Sequence, residues 1–241
     1  MGRILPRLVF AFGCLLAAAA CSAPTGPSSD APRTGQSAPA APGPAPREID
    51  PDRPLILAFG DSLTAGNMVE GALAYPSQLQ AKLDEAGYDY QVVNDGEGGL
   101  TTSGGLARLD RALALAPDIV ILELGGNDGL RGTPTEVIRA NLRTLATRFR
   151  QAGAVVVLAG LTLPRNYGPD YIGEFEQVYA ELARELDVTH IPFFLEGLVD
   201  LDDPEASIGV TMQADGIHPT GRGYAIVAET VFRAIEPHLE K

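Results

Sequence analysis

A three-layer α/β/α sandwich around a mainly parallel five-stranded sheet is the fold class this chain predicts. Two observations carry that expectation. From Leu55 onward, short Val-, Ile- and Leu-rich runs alternate with amphipathic stretches, and the runs rich in Gly, Asp and Asn follow the first three apolar segments. A strand covered on both faces reads as a continuous apolar run, and strands alternating with helical patterns imply crossover helices over a parallel sheet.

The expected strands are residues 55–59, 90–93, 119–124, 154–159 and 189–191. Between and after them, residues 74–86, 105–116, 135–151, 174–186 and 221–235 read as helices; in the last, Val227, Val231 and Ile235 recur every four residues. Gly87 and Gly153 follow helix ends, where a C-terminal cap is expected. There is no internal repeat and no second linker, so residues 54–241 are expected to form one domain.

The residues before that domain have a different composition. Arg3 and Arg7 precede an apolar stretch over residues 8–16, and Ala17, Ala18, Ala19 and Ala20 lead into Cys21. This is the layout of an export signal over residues 1–20, too short to span a bilayer comfortably. Ala18 to Cys21 resembles the lipobox of bacterial lipoproteins, which implies acylation at Cys21 and anchoring to a membrane of the cell envelope; a plain cleaved signal is the alternative. The chain has two cysteines, Cys14 and Cys21, so the exported domain would have no disulfide framework. Residues 21–53 are expected to be an extended tether, with nine prolines between residues 22 and 54. The formal charge of -13, with no basic cluster, argues against a nucleic-acid partner and suits a neutral substrate or one with an apolar handle.

The chemistry-bearing segments are expected to meet at one end of the sheet, because ligands of open α/β sheets bind beyond the carboxyl ends of the strands. Gly60-Asp61-Ser62-Leu63 follows the first strand. A serine nucleophile needs a base, usually histidine, oriented by a carboxylate. Of the three histidines, His190 falls in a strand and His238 at the C-terminus, whereas Asp215-Gly216-Ile217-His218-Pro219 forms a compact loop before the last helix. Three residues of separation let one loop present Asp215 and His218 together, with Pro219 suited to the first helical turn. Asp215 as a simple helix cap remains the alternative. Gly98-Gly99 and Gly125-Gly126-Asn127-Asp128-Gly129 offer backbone N–H groups and an amide for an oxyanion, or ordinary turn chemistry.

Taken together, Gly60 to Gly66, Gly99, Gly125 to Gly132 and Asp215 to Pro219 resemble the ordered blocks of the GDSL, or SGNH, hydrolases over residues 54–236. The runs Leu163 to Gly168 and Ile191 to Phe194 are similar to the bacterial thioesterase I/lysophospholipase/arylesterase branch. The resemblance implies a flavodoxin-like SGNH fold and a serine esterase acting on carboxylic esters, including aryl esters and lysophospholipids, and on acyl thioesters. It implies Ser62 as nucleophile, His218 as base and then acid, and Asp215 as its orienter. Oxyanion donors would be the Ser62 and Gly99 N–H groups and the Asn127 side chain, with Gly98 as the alternative register. Residues 128–132 would be a flexible loop, Leu163 and Pro164 would wall the acyl pocket, and neither metal nor cofactor is required. Residues 199–214 look longer than in close relatives.

Two other readings compete. A metal-dependent phosphoesterase would use Asp61, Asp128, Asp215 and His218 as ligands. A non-catalytic lipid- or partner-binding lipoprotein would use the same fold without chemistry. A conventional α/β-hydrolase is disfavoured by the lack of any Gly-x-Ser-x-Gly.

Overall fold

The computed structural model describes residues 49–198 and 204–241. The expected signal, Cys21, the tether up to residue 48 and residues 199–203 of the long segment before Asp215 lie outside the described residues.

Five strands, β1 (Leu55–Gly60), β2 (Gln91–Gly96), β3 (Ile119–Glu123), β4 (Val155–Ala159) and β5 (Thr189–Ile191), pair in the order β2-β1-β3-β4-β5. Every pairing is parallel. All residues of β1 and β3 are buried, which explains why their sequences are unbroken apolar runs up to the carboxyl end. The chain moves from β1 to β2 on one side and returns to β3 on the other, so the switch point of the topology lies between β1 and β3. In sheets of this strand order, the crevice beyond that point is the place for a ligand.

Helices α2 (Tyr75–Ala86) and α7 (Gly221–Ile235) pack on each other, while α3 (Thr102–Leu113), α5 (Thr135–Gln151) and α6 (Pro169–Leu186) form a second packed group. Phe59 of β1 meets Phe149 of α5 edge-on at 5.6 Å, and Tyr75 of α2 meets Phe194 at 5.4 Å. These aromatic contacts weld the helical layers to the sheet and to the segment after β5. Two short helices, α1 (Ser62–Ala65) and α4 (Gly126–Leu130), follow β1 and β3. Among the described residues no helix is long and apolar enough to cross a membrane.

Several element bounds differ from the sequence expectation. β2 runs to Gly96, three residues beyond the expected Val93, because pairing with β1 continues until Gly60 meets Gly96. The third helix begins at Thr102 instead of Gly105: the Thr101 side chain caps it by accepting the Gly104 N–H at 3.1 Å. It also ends at Leu113, short of Ala116, which has a left-handed φ of 49°. α6 starts at Pro169, five residues before the expected Glu174, with the proline in its first turn, where the missing N–H costs nothing.

Gly125 joins β3 to α4 with φ 116°, and a Cβ there would lie 2.3 Å from Tyr179 Oη. That hydroxyl donates to the Leu124 carbonyl at 3.0 Å, so it has little freedom to retreat. Gly125→Ala therefore combines backbone strain with overpacking and should destabilise the fold by roughly 2 kcal/mol or more, read as a lower denaturant midpoint at unchanged slope.

Candidate active site

The end of β1 explains the tetrapeptide residue by residue. At Gly60 a side chain has no room: a Cβ would lie 2.1 Å from Thr64 Oγ1 and 2.6 Å from Glu123 Oε2. Asp61 caps α1 by accepting the Leu63 N–H at 3.0 Å. Ser62 then opens α1 beside the cavity, and Leu63 is buried in its wall.

His218 and Asp215 reach the same point from the other end of the chain. Ser62 Oγ lies 2.9 Å from His218 Nε2, and His218 Nδ1 lies 2.6 Å from Asp215 Oδ2. The loop is built to hold this pair. Asp215 Oδ1 accepts the Ile217 and His218 backbone N–H groups at 2.9 and 3.0 Å, which leaves Oδ2 for the imidazole. Gln213 N–H donates to the His218 carbonyl at 2.8 Å, and Gln213 Nε2 donates to the Asn67 carbonyl at 3.3 Å, tying the loop to the segment after α1. Pro219 lies before the Thr220 cap and pairs with Met212, so it closes the loop rather than occupying the first helical turn. Partial burial acts to raise the Asp215 carboxyl, but its bonds from the His218 ring and the two backbone N–H groups prevail and hold it below the usual carboxylate value.

From the far side, α4 brings Asn127. Its Nδ2 donates to Asp61 Oδ2 at 2.9 Å and to the Leu100 carbonyl at 3.1 Å. Among the described residues, neither Ser62 nor Gly99 donates its backbone N–H to a backbone carbonyl. Gly99 takes φ 77°, its carbonyl accepts from Arg131 at 3.2 Å, and it precedes Leu100, whose carbonyl accepts from Asn127.

The cavity beside Ser62 has a volume of about 620 Å³. Leu163 and Pro164 line it, together with Leu63, Leu130, Leu161, Phe193, Leu195, Met212 and Ile217. Such a mostly apolar chamber, with Asp61, Ser62, Asn127, His218, Thr162 and Arg165 as its polar points, suits a hydrocarbon group attached to a reacting carbonyl. Most of these apolar walls were invisible in the sequence, where a Leu, Phe or Met that lines a pocket looks the same as one in the core.

Glu123 was also missed. It is fully buried at the end of β3, its Oε2 accepting the Asp61 N–H at 3.2 Å and the Thr64 hydroxyl at 2.8 Å. The available signal was a lone acidic residue closing the run Ile119-Val120-Ile121-Leu122. Burial, then the neighbouring Asp61 charge, pushes the Glu123 carboxyl well up, while Asp61 is pushed up by burial to about 6.

The ligand set of a metal-dependent phosphoesterase is not assembled. Asp128 faces away to Thr102, accepting its N–H at 2.8 Å and its hydroxyl at 2.7 Å. Among the described residues, no group of three or more His, Cys, Asp or Glu side chains is placed to hold a metal ion.

Comparison with known proteins agrees with this architecture. Residues 58–226 match the model of the GDSL-like lipase/acylhydrolase family. The chain is 41% identical over 185 residues to esterase TesA of Pseudomonas aeruginosa, covering 76% of this chain and 89% of that protein. It is 36% identical over 183 residues to thioesterase 1/protease 1/lysophospholipase L1 of Escherichia coli K12, covering 76% and 83%. The crystal structure of TesA superposes with a TM-score of 0.70, covering 76% of this chain and 98% of that one. AlinE4, an SGNH-hydrolase family esterase, is 34% identical with a TM-score of 0.62, covering 80% and 100%. Matched along most of its length by both sequence and fold, the chain belongs to the GDSL-like lipase/acylhydrolase family.

Proposed function

We propose that this carboxylic ester hydrolase works through an acyl-enzyme on Ser62. The observation that carries the reading is the continuous relay from Ser62 Oγ to His218 Nε2 at 2.9 Å and from His218 Nδ1 to Asp215 Oδ2 at 2.6 Å. His218 takes the serine proton as Oγ bonds to the substrate carbonyl carbon, whose oxygen becomes an oxyanion. The tetrahedral species collapses, breaks the bond to the alkoxy, aryloxy or thio group, and receives the proton from His218. Water, deprotonated by the same imidazole, then releases the acid and restores Ser62.

The oxyanion donors in this reading are the N–H groups of Ser62 and Gly99 and the Asn127 amide. The apolar cavity takes the acyl chain, with Leu163 and Pro164 among its walls. Carboxylic esters, including aryl esters and lysophospholipids, are the first substrate class and acyl thioesters a secondary one. That order follows from the export signal, since an exported enzyme meets few cytoplasmic thioesters. Residues 1–20 direct export, residues 21–53 tether residues 54–241, and a lipid on Cys21 holds the enzyme at a membrane of the cell envelope.

A fluorophosphonate probe should label Ser62 stoichiometrically and fail on Ser62→Ala; equal labelling of the variant would remove Ser62 as nucleophile. Replacing one oxyanion donor typically costs roughly 10²–10³ in turnover, so Asn127→Ala should lower kcat by that factor on an ester such as a 4-nitrophenyl acylate. Unchanged kcat would exclude the amide as donor. Mass spectrometry of the mature protein should find an acylated Cys21 at the N-terminus, and an unmodified terminus beyond residue 21 would rule out the anchor.

A further inference from the structure

Both Nδ2 protons of Asn127 are engaged, one by Asp61 Oδ2 at 2.9 Å and one by the Leu100 carbonyl at 3.1 Å. An amide serves an oxyanion only when it presents nitrogen, and a half-turn of the side chain exchanges nitrogen for oxygen with almost no change in shape. An ionised carboxylate only accepts hydrogen bonds. Asp61 in that form admits the nitrogen end of Asn127 and rejects the oxygen end.

We propose that Asp61 is a positioning residue for the oxyanion donor: its carboxylate holds one proton of the Asn127 amide and fixes its orientation, so that the proton resting on the Leu100 carbonyl is the one offered to the oxyanion. The proposal rests on Asn127 being that donor. No covalent step is added; the oxyanion displaces or shares the weaker of two hydrogen bonds.

The stability cost at this position supports a functional role. Asp61 is 3% exposed, and no Lys or Arg bonds to it among the described residues. Burial raises its pKa to about 6, against the bonds from Leu63, Glu123 and Asn127 and the opposing field of His218. Facing the same pocket of charge are Glu123 from β3, His218 from the last loop, and the phenols of Tyr75, Tyr179 and Tyr224, all three pushed up by burial and neutral. A group whose folded pKa lies above its unfolded value contributes stability that is complete below the unfolded value and lost as pH rises through the folded one. Asp61 therefore weakens the fold at neutral and alkaline pH. Asparagine would fill the same volume and cap Leu63 without that loss, yet it would turn its own NH₂ toward Asn127 and leave the Leu100 carbonyl as the one remaining acceptor that selects the nitrogen end of that amide. A carboxylate kept against stability is the pattern expected where function sets the residue.

The test is a double-mutant cycle with Asp61→Asn and Asn127→Ala, assayed on a 4-nitrophenyl ester. Asp61→Asn should lower kcat about tenfold with KM within about twofold, and in the Asn127→Ala background it should lower kcat less than twofold, because both changes act on one donor. The same variant should unfold at a higher denaturant concentration than wild type at pH 8, with the difference closing toward pH 4. Losses that multiply, unaltered kcat in Asp61→Asn, or a lower midpoint at pH 8 would each overturn the proposal while leaving Asn127 as donor. Full turnover in Asn127→Ala alone would instead remove the donor, and the proposal with it.

Discussion

The register of β1 against β3 is the constraint on which the site depends. Gly60 and Glu123 are partners across the parallel ladder, so the two loops that carry Ser62 and Asn127 leave the sheet at the same level. A slip of one residue would turn every β1 side chain to the opposite face and move the two loops apart. With the register set, Asp61 and Asn127, 66 residues apart in the chain, come within a single hydrogen bond. Glu123 fastens the arrangement from below, bonding the backbone of Asp61 and the hydroxyl of Thr64 across the missing side chain of Gly60.

Chemistry and specificity are thus built from different parts of the chain. The reacting groups come from the ends of β1 and β3 and from the loop before α7, while much of the cavity wall comes from Leu161, Leu163 and Pro164 after β4 and from Phe193 and Leu195 after β5. These five residues carry no charge, although Thr162 and Arg165 line the cavity beside them. The apolar part of the wall can change in volume without disturbing the relay, so cavity shape and the relay can vary independently.

How much of this was legible depended on whether the determining physics was local. The inner strands β1, β3 and β4 could be read because burial on both faces leaves an apolar run, while the half-buried edge strands β2 and β5 followed from their place in the alternation with helices. Ser62, Asp215 and His218 could be proposed as a relay because few residue types suit one and because His218 follows its acidic neighbour in a compact loop, whereas His190, with Asp187 at the same spacing, falls in a strand. The start of α3 was hidden because Thr101 through Gly105 has loop composition and becomes helical through the Thr101 cap and the pairing of Thr102 with Asp128. Glu123 was hidden for a different reason: its meaning comes from Gly60 across the ladder, and nothing adjacent to it in the chain reveals that partner.

The self-contained loop that carries Asp215 and His218 gives the Ser62–His218–Asp215 relay an unequal mechanical design. His218 and Asp215 are locked to one another within four consecutive residues, through side-chain and backbone bonds together. The link to Ser62, by contrast, spans 156 residues of chain and one hydrogen bond. The relay consequently has one rigid half and one joint. The Asp215–His218 half is set by bonds inside its own loop, whereas the distance to Ser62 depends on how that loop is seated, which the Gln213 bond to the Asn67 carbonyl helps to fix.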